Sequence, residues 1–262
     1  MTVEKLLSQY RSMNIIQLEK VFNELLSSNA IEEIKWLDDN GIINQLDSPY
    51  FFDMILRIGE DNNIELLDFL MKSPSFTHHI TTEKFDILKK TLLKNASDKG
   101  HIDMVRYLIN SPEIEKTNQY SPYEILQCYF KACDKGYLSI IQYVLGLDKI
   151  HEDKNYKKYC DIAFRVACHH SYLDIVRYVL TSPDLKEYAN IHTKNDSVII
   201  NAINNKNEKI VNFLIFEMNI GLTPNIQEVI EENPHIMKLF EVRGLNNKLK
   251  KKDDIIGNKI KI

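Results

Sequence analysis

Glycine is scarce in this chain, 8 residues in 262, and the scarcity narrows its chemistry. Phosphate-cradling loops rely on glycine for backbone freedom, and no Walker A loop, G-x-G-x-x-G turn or G-x-S-x-G elbow occurs. Four cysteines do not make a disulfide framework in a chain of this length. No apolar run approaches the length of a bilayer span, so no membrane association is expected. Nor is basic charge in excess: 33 Lys and Arg stand against 37 Asp and Glu, a formal net charge of -4, and nothing global favours a nucleic acid. The opening Met1-Thr2-Val3-Glu4-Lys5 turns polar at once, unlike a secretory leader. A soluble cytoplasmic protein is expected, and the sequons at Asn95 and Asn195 are read as coincidences.

What the chain does have is repetition. The segment from Asp98 to Leu108, DKGHIDMVRYL, returns as DKGYLSIIQYV ending at Val144 and as HHSYLDIVRYV ending at Val179. Weaker copies end at Leu37, Leu70 and Leu214. These six anchors are separated by 33, 38, 36, 35 and 35 residues. A period in that range marks stacked repeats, each burying its apolar face only against its neighbours.

The second half of each unit reads as an amphipathic helix. Ile102, Val105, Leu108 and Ile109 share one face, while Asp103 and Arg106 sit on the solvated one. Trp36 occupies the slot of Tyr107, Tyr143 and Tyr178, a helix-packing aromatic. Ser73-Pro74, Ser111-Pro112 and Ser182-Pro183 should stop these helices, because proline excludes the preceding residue from helical angles. First helices restart at Ser121-Pro122-Tyr123-Glu124, a capping box, and at Ser48-Pro49-Tyr50. They end on small residues, Ala96-Ser97, Ala132-Cys133, Ala167-Cys168 and Ala202, where helices must approach closely. Cys133 and Cys168 hold equivalent positions in successive units, roughly 8–10 Å apart between helix axes, too far for a disulfide.

The run from Ala96 to Val105, ASDKGHIDMV, resembles the ankyrin-repeat signature: two small residues, two variable ones, then Gly-His and an Ile-Val helix. The family's Thr-Pro-Leu-His turn maps to Thr91-Leu92-Leu93-Lys94, which keeps only the Thr and the Leu. The next two units keep none of it, with Gln127-Cys128-Tyr129-Phe130 and Ile162-Ala163-Phe164-Arg165 in that slot. The units are similar to the long, divergent ankyrin repeats of amoebae and their giant DNA viruses. The resemblance implies an all-α, ankyrin-like solenoid of about six to seven helix-turn-helix repeats. It also implies that His101 bonds neighbouring backbone. A capping helix is expected over 1–17, the array over 18–245, and a flexible basic tail over 246–262.

Chemistry is thinly represented. His151-Glu152-Asp153-Lys154-Asn155 starts like a zinc-protease helix but lacks the second histidine four residues on. Cys168-His169-His170 is the densest group of ligand types, yet its histidines align with Asp98 and Lys99 in a solvent-facing turn. No enzymatic activity, no cofactor and no small-molecule substrate is expected.

Ankyrin arrays, by resemblance, bind proteins on a concave surface of loops and first helices. The long loops here supply the candidate partner-binding residues: Glu115, Lys116 and Tyr120; His151, Lys154 and Tyr156; Tyr188, His192 and Lys194. Tyrosine offers contact area at low entropic cost, which singles out Tyr120, Tyr156 and Tyr188. Equally, these rings could pack under their own loops. The expected role is that of a monomeric module for a partner protein, in the host cytoplasm if the chain is viral. The alternative is a nuclear or nucleic-acid-associated factor using Lys248, Lys250, Lys251 and Lys252, although Asp253 and Asp254 follow and no aromatics interleave.

Overall fold

The computed structural model describes residues 3–112, 114, 119–185 and 192–259, with only the backbone described at 3, 193–195 and 249–259. Of the candidates above, Glu115, Lys116 and Tyr188 lie outside the described residues, and the side chain of Lys194 does too. The protein is all-α: the described residues contain no strand. Among them no helix is long and apolar enough to cross a membrane. The chain divides into two compact units, Met1–Gly146 and Leu147–Ile262.

Unit 1 opens with α1 (Val3–Arg11) and continues as helix pairs. These are α2 (Ile15–Ser27) with α3 (Ile31–Asp39), and α4 (Ser48–Glu60) with α5 (Ile64–Lys72). The short α6 (Pro74–His79) leads to α7 (Thr82–Lys99) with α8 (Ile102–Asn110), then α9 (Pro122–Lys135) with α10 (Leu138–Leu145). First helices pack on first helices, α4 on α7 and α7 on α9; second helices pack on second helices, α3 on α5, α5 on α8 and α8 on α10. Gly59 lets α4 and α7 close up, since a Cβ there would collide with the Leu92 side chain.

Unit 2 starts with the single turn α11 (Asp148–His151), then pairs α12 (Tyr156–His170) with α13 (Leu173–Thr181). Next come α14 (Thr193–Asn204) and α15 (Glu208–Asn212), the latter continued by a π-wound turn over Phe213–Glu217. It closes with α16 (Pro224–Glu231) and α17 (Pro234–Lys259). Here α12 packs on α14, and α14 on α16.

One turn geometry joins the helices of six pairs. A left-handed residue ends each first helix: Asn29, Asn62, Gly100 and Gly136 in unit 1, Ser171 and Lys206 in unit 2, with φ between 55° and 79°. The next residue's N–H then bonds the carbonyl five positions back, as in Ala30 to Leu25 (2.9 Å), His101 to Ala96 (2.9 Å), Tyr172 to Ala167 (2.9 Å) and Asn207 to Ala202 (2.8 Å). This closure satisfies the carbonyls that a helix end leaves unpaired. The turn residues fall at the intervals of the anchors, 33, 38, 36, 35 and 35, and all six anchors are at most 1% exposed.

The serine stops behave as the sequence predicts. Ser73, Ser111 and Ser182 leave the helix with ψ of 153°, 123° and 131°. Ser121 and Glu124 form the capping box. Three expectations are corrected. Helix α4 is capped not by Ser48 but by Asp47, whose carboxylate accepts from the Tyr50 N–H at 2.7 Å. The expected helix over 1–17 is split, because Asn14 and Gln17 form a capping box that starts α2. The stretch from 246, expected as a flexible basic tail apart from the array, is helical to Lys259 and continuous with α17.

Candidate partner-binding surface

The buried sides of the first helices are spent on packing, so their remaining faces define the surface that unit 1 offers. Thirteen residues before each turn residue stand Ile16, Pro49, Ile87 and Tyr123, on α2, α4, α7 and α9. All four are exposed, with Ile16 at 77%, Ile87 at 60% and Tyr123 at 70%. A single exposed apolar residue needs no explanation, but the same register position on four successive helices makes a stripe. In unit 2 the corresponding α12 position is an exposed lysine, Lys158.

Between α7 and α9 the surface deepens into a groove of about 490 Å³. Leu93 and Cys128, both nearly inaccessible, form its floor, and Tyr123 stands on its lip. Lys90, Lys94 and Lys131 line the walls, with Glu124 the one carboxylate among the lining residues. That carboxylate is already committed: it accepts from the Ser121 N–H at 2.8 Å and pairs with Lys90 at 3.1 Å. Burial alone would raise the Glu124 pKa, but these donors outweigh it and hold the carboxyl below its usual range. The same pair raises the Lys90 pKa. Lys131 reaches Asp98 only at 3.8 Å, and Lys94 has no carboxylate within ion-pair distance among the described residues. Unit 2 has a smaller counterpart of about 380 Å³ between α12 and α14, lined by Arg165 and His169.

Tyr120 and Tyr156, two of the tyrosines proposed as anchors, are not on any such surface. Tyr120 is 3% exposed, and its hydroxyl donates to the Lys89 carbonyl at 2.8 Å. Its ring lies 5.5 Å from the Nζ of Lys89, a fully buried lysine that pairs with Asp86 at 3.0 Å. Tyr156 is 5% exposed, with its ring 4.6 Å from that of His151. Both rings are therefore buried in packing, Tyr120 against α7 and Tyr156 beside His151, which is the second of the two readings the sequence left open. His151 and Lys154 are exposed beside each other's turn but line none of the described grooves. His192 is tied down: its Nδ1 donates at 2.5 Å to the buried Asp196, which also accepts from Thr223 at 2.5 Å. Burial would raise the Asp196 pKa, yet these hydrogen bonds lower it overall.

The thiols are sequestered. All four cysteines are free and buried. Desolvation lifts Cys128 and Cys160 to about 11, Cys133 to about 12, and Cys168 further still. A neutral thiol is a poor nucleophile and a poor metal ligand. Cys168 is thus buried beside two exposed histidines, His169 and His170, whose rings lie 4.8 Å apart. Among the described residues no three His, Cys, Asp or Glu side chains gather around a metal-sized space.

His101 bonds the backbone of the preceding helix pair. Its Nε2 lies 3.1 Å from the Glu60 carbonyl at the end of the preceding first helix and donates to it. Tyr137, the equivalent residue one pair later, donates to the Asp98 carbonyl at 3.3 Å, and Asn63 reaches Asn29 at 2.9 Å. Compared with protein-family models, with curated proteins and with solved structures, the chain matches none.

Proposed function

We propose that the protein is a non-enzymatic interaction module whose helix pairs are divergent ankyrin-like repeats, and that unit 1 binds a partner protein on its first-helix surface. The stripe of Ile16, Pro49, Ile87 and Tyr123 carries this reading. Apolar side chains exposed in one register across successive helices serve no packing purpose within the unit. Large aromatic and aliphatic groups of this kind supply the anchors of protein interfaces. The repeated turn and the inter-pair bonds of Asn63, His101 and Tyr137 support the repeat assignment.

Site-specific photo-crosslinking tests the reading. A benzophenone amino acid at position 87 should capture a discrete protein, whereas the same probe at the exposed Asp103 on α8 should not. Equal capture at both positions, or at neither, rejects it.

A further inference from the structure

We infer that the groove between α7 and α9 receives an acidic peptide segment bearing an apolar side chain, the apolar group seated on Leu93 and Cys128 and its flanking carboxylates held by Lys94 and Lys131. This rests on the interaction-module reading and adds the chemistry of the ligand. A volume of about 490 Å³ lies within the roughly 300–1,000 Å³ typical of ligand pockets. The charges decide what can enter. Three lysines line the groove against one glutamate, and that glutamate is engaged by Lys90 and by Ser121. Lys94 therefore presents an ammonium without an ion-pair partner among the described residues, and Lys131 presents one held only loosely by Asp98. A basic segment would meet like charges on both walls. An uncharged apolar segment would fill the floor but leave the lysines unanswered. Only an acidic segment with an apolar anchor satisfies both floor and walls, with Tyr123 closing over the anchor from the lip. Electrostatic complementarity of this kind governs selectivity and association rate more than raw affinity.

A larger crevice of about 760 Å³ near the Asn29 and Asn62 turns makes a weaker case. Its Arg57 is already engaged by Asn23 and Ser27.

Selection of a random phage-displayed peptide library on the immobilised full chain tests the inference. Enriched peptides should carry Asp or Glu around an aromatic or aliphatic residue. A synthetic enriched peptide should bind about tenfold more weakly to Lys94→Glu and to Tyr123→Ala, each checked for an unchanged thermal midpoint. Its affinity should also fall as salt rises. Lys94→Gln, which removes the charge without reversing it, should give an intermediate loss. No enrichment, enrichment without acidic bias, or unchanged affinity in these variants overturns the groove. If position 87 still captures a protein in that case, the module reading survives and only the ligand chemistry is lost.

Discussion

The ring of Tyr137 lies against Gly100, so close that a Cβ on the glycine would stand 2.8 Å from ring carbon Cε1. Gly100 is needed twice over, for this contact and for its φ of +76°. Gly100→Ala should destabilise unit 1 by about 1–3 kcal/mol, combining left-handed strain with displacement of the ring. Ser171 has the same backbone angles without glycine's freedom and is exposed. Ser171→Gly should therefore stabilise unit 2, by about 1 kcal/mol. Urea titrations of both variants check the opposite signs, and a shift of the same sign in both would refute the account.

Tyr120 separates packing from binding. Tyr120→Phe keeps the ring and loses only the bond to the Lys89 carbonyl, for a cost of about 1 kcal/mol. Tyr120→Ala empties a buried site and should cost about 3–5 kcal/mol. Denaturation midpoints that rank alanine no worse than phenylalanine would mean the ring is not buried in solution.

The periodic part of this architecture is legible in the letters. Anchors and left-handed turn residues repeat in all six pairs and serine stops in three, because each is a local requirement. Tyr120 defeats such reading, since its partner Lys89 lies 31 residues away and is chosen by tertiary packing alone. The exposed stripe was within reach: counting thirteen residues back from Asn29, Asn62, Gly100 and Gly136 finds Ile16, Pro49, Ile87 and Tyr123. It is easily missed because single exposed apolar residues are ordinary on a protein surface. The continuation of α17 past residue 246 was hidden by a lysine-rich composition that favours helix and tail alike.

His79 makes unit 1 sensitive to acid. The imidazole is 3% exposed, stacked on Phe51 at 4.5 Å and 3.1 Å from the Ile43 carbonyl. Burial lowers its pKa from 6.5; the Ile43 carbonyl, Asp47 and Asp38 oppose the shift, while His78 adds to it. Below about pH 6.5 the unfolded chain takes up a proton that the folded one refuses, so stability is full above that pH and falls as pH drops towards the folded pKa. Asp38 works in the opposite sense: burial raises its pKa, so its stabilising contribution is present at low pH and lost as pH rises through the folded value. Comparison with His79→Leu isolates the imidazole. The variant should show a flatter stability profile between pH 7 and 5, followed by the fluorescence of Trp36, the one tryptophan in the chain. Parallel profiles would remove His79 as the source.

The four thiols should resist alkylation at pH 8 in the folded protein and react together in denaturant, because burial disfavours every thiolate. Mass spectrometry of iodoacetamide-treated protein checks this, and rapid native labelling at Cys128 or Cys133 would show that unit 1 opens far below its global stability.

The backbone angles at Gly100 (φ 76°, ψ 21°) and Gly136 (φ 79°, ψ 24°) are nearly interchangeable. A gene shortened by the codons for 101–136 would join Gly100 to Tyr137 with the chain leaving at the same pitch. Deletion or duplication of whole modules between such points reuses a turn geometry already present, so a lineage carrying this gene can change the length of its product in steps of one period.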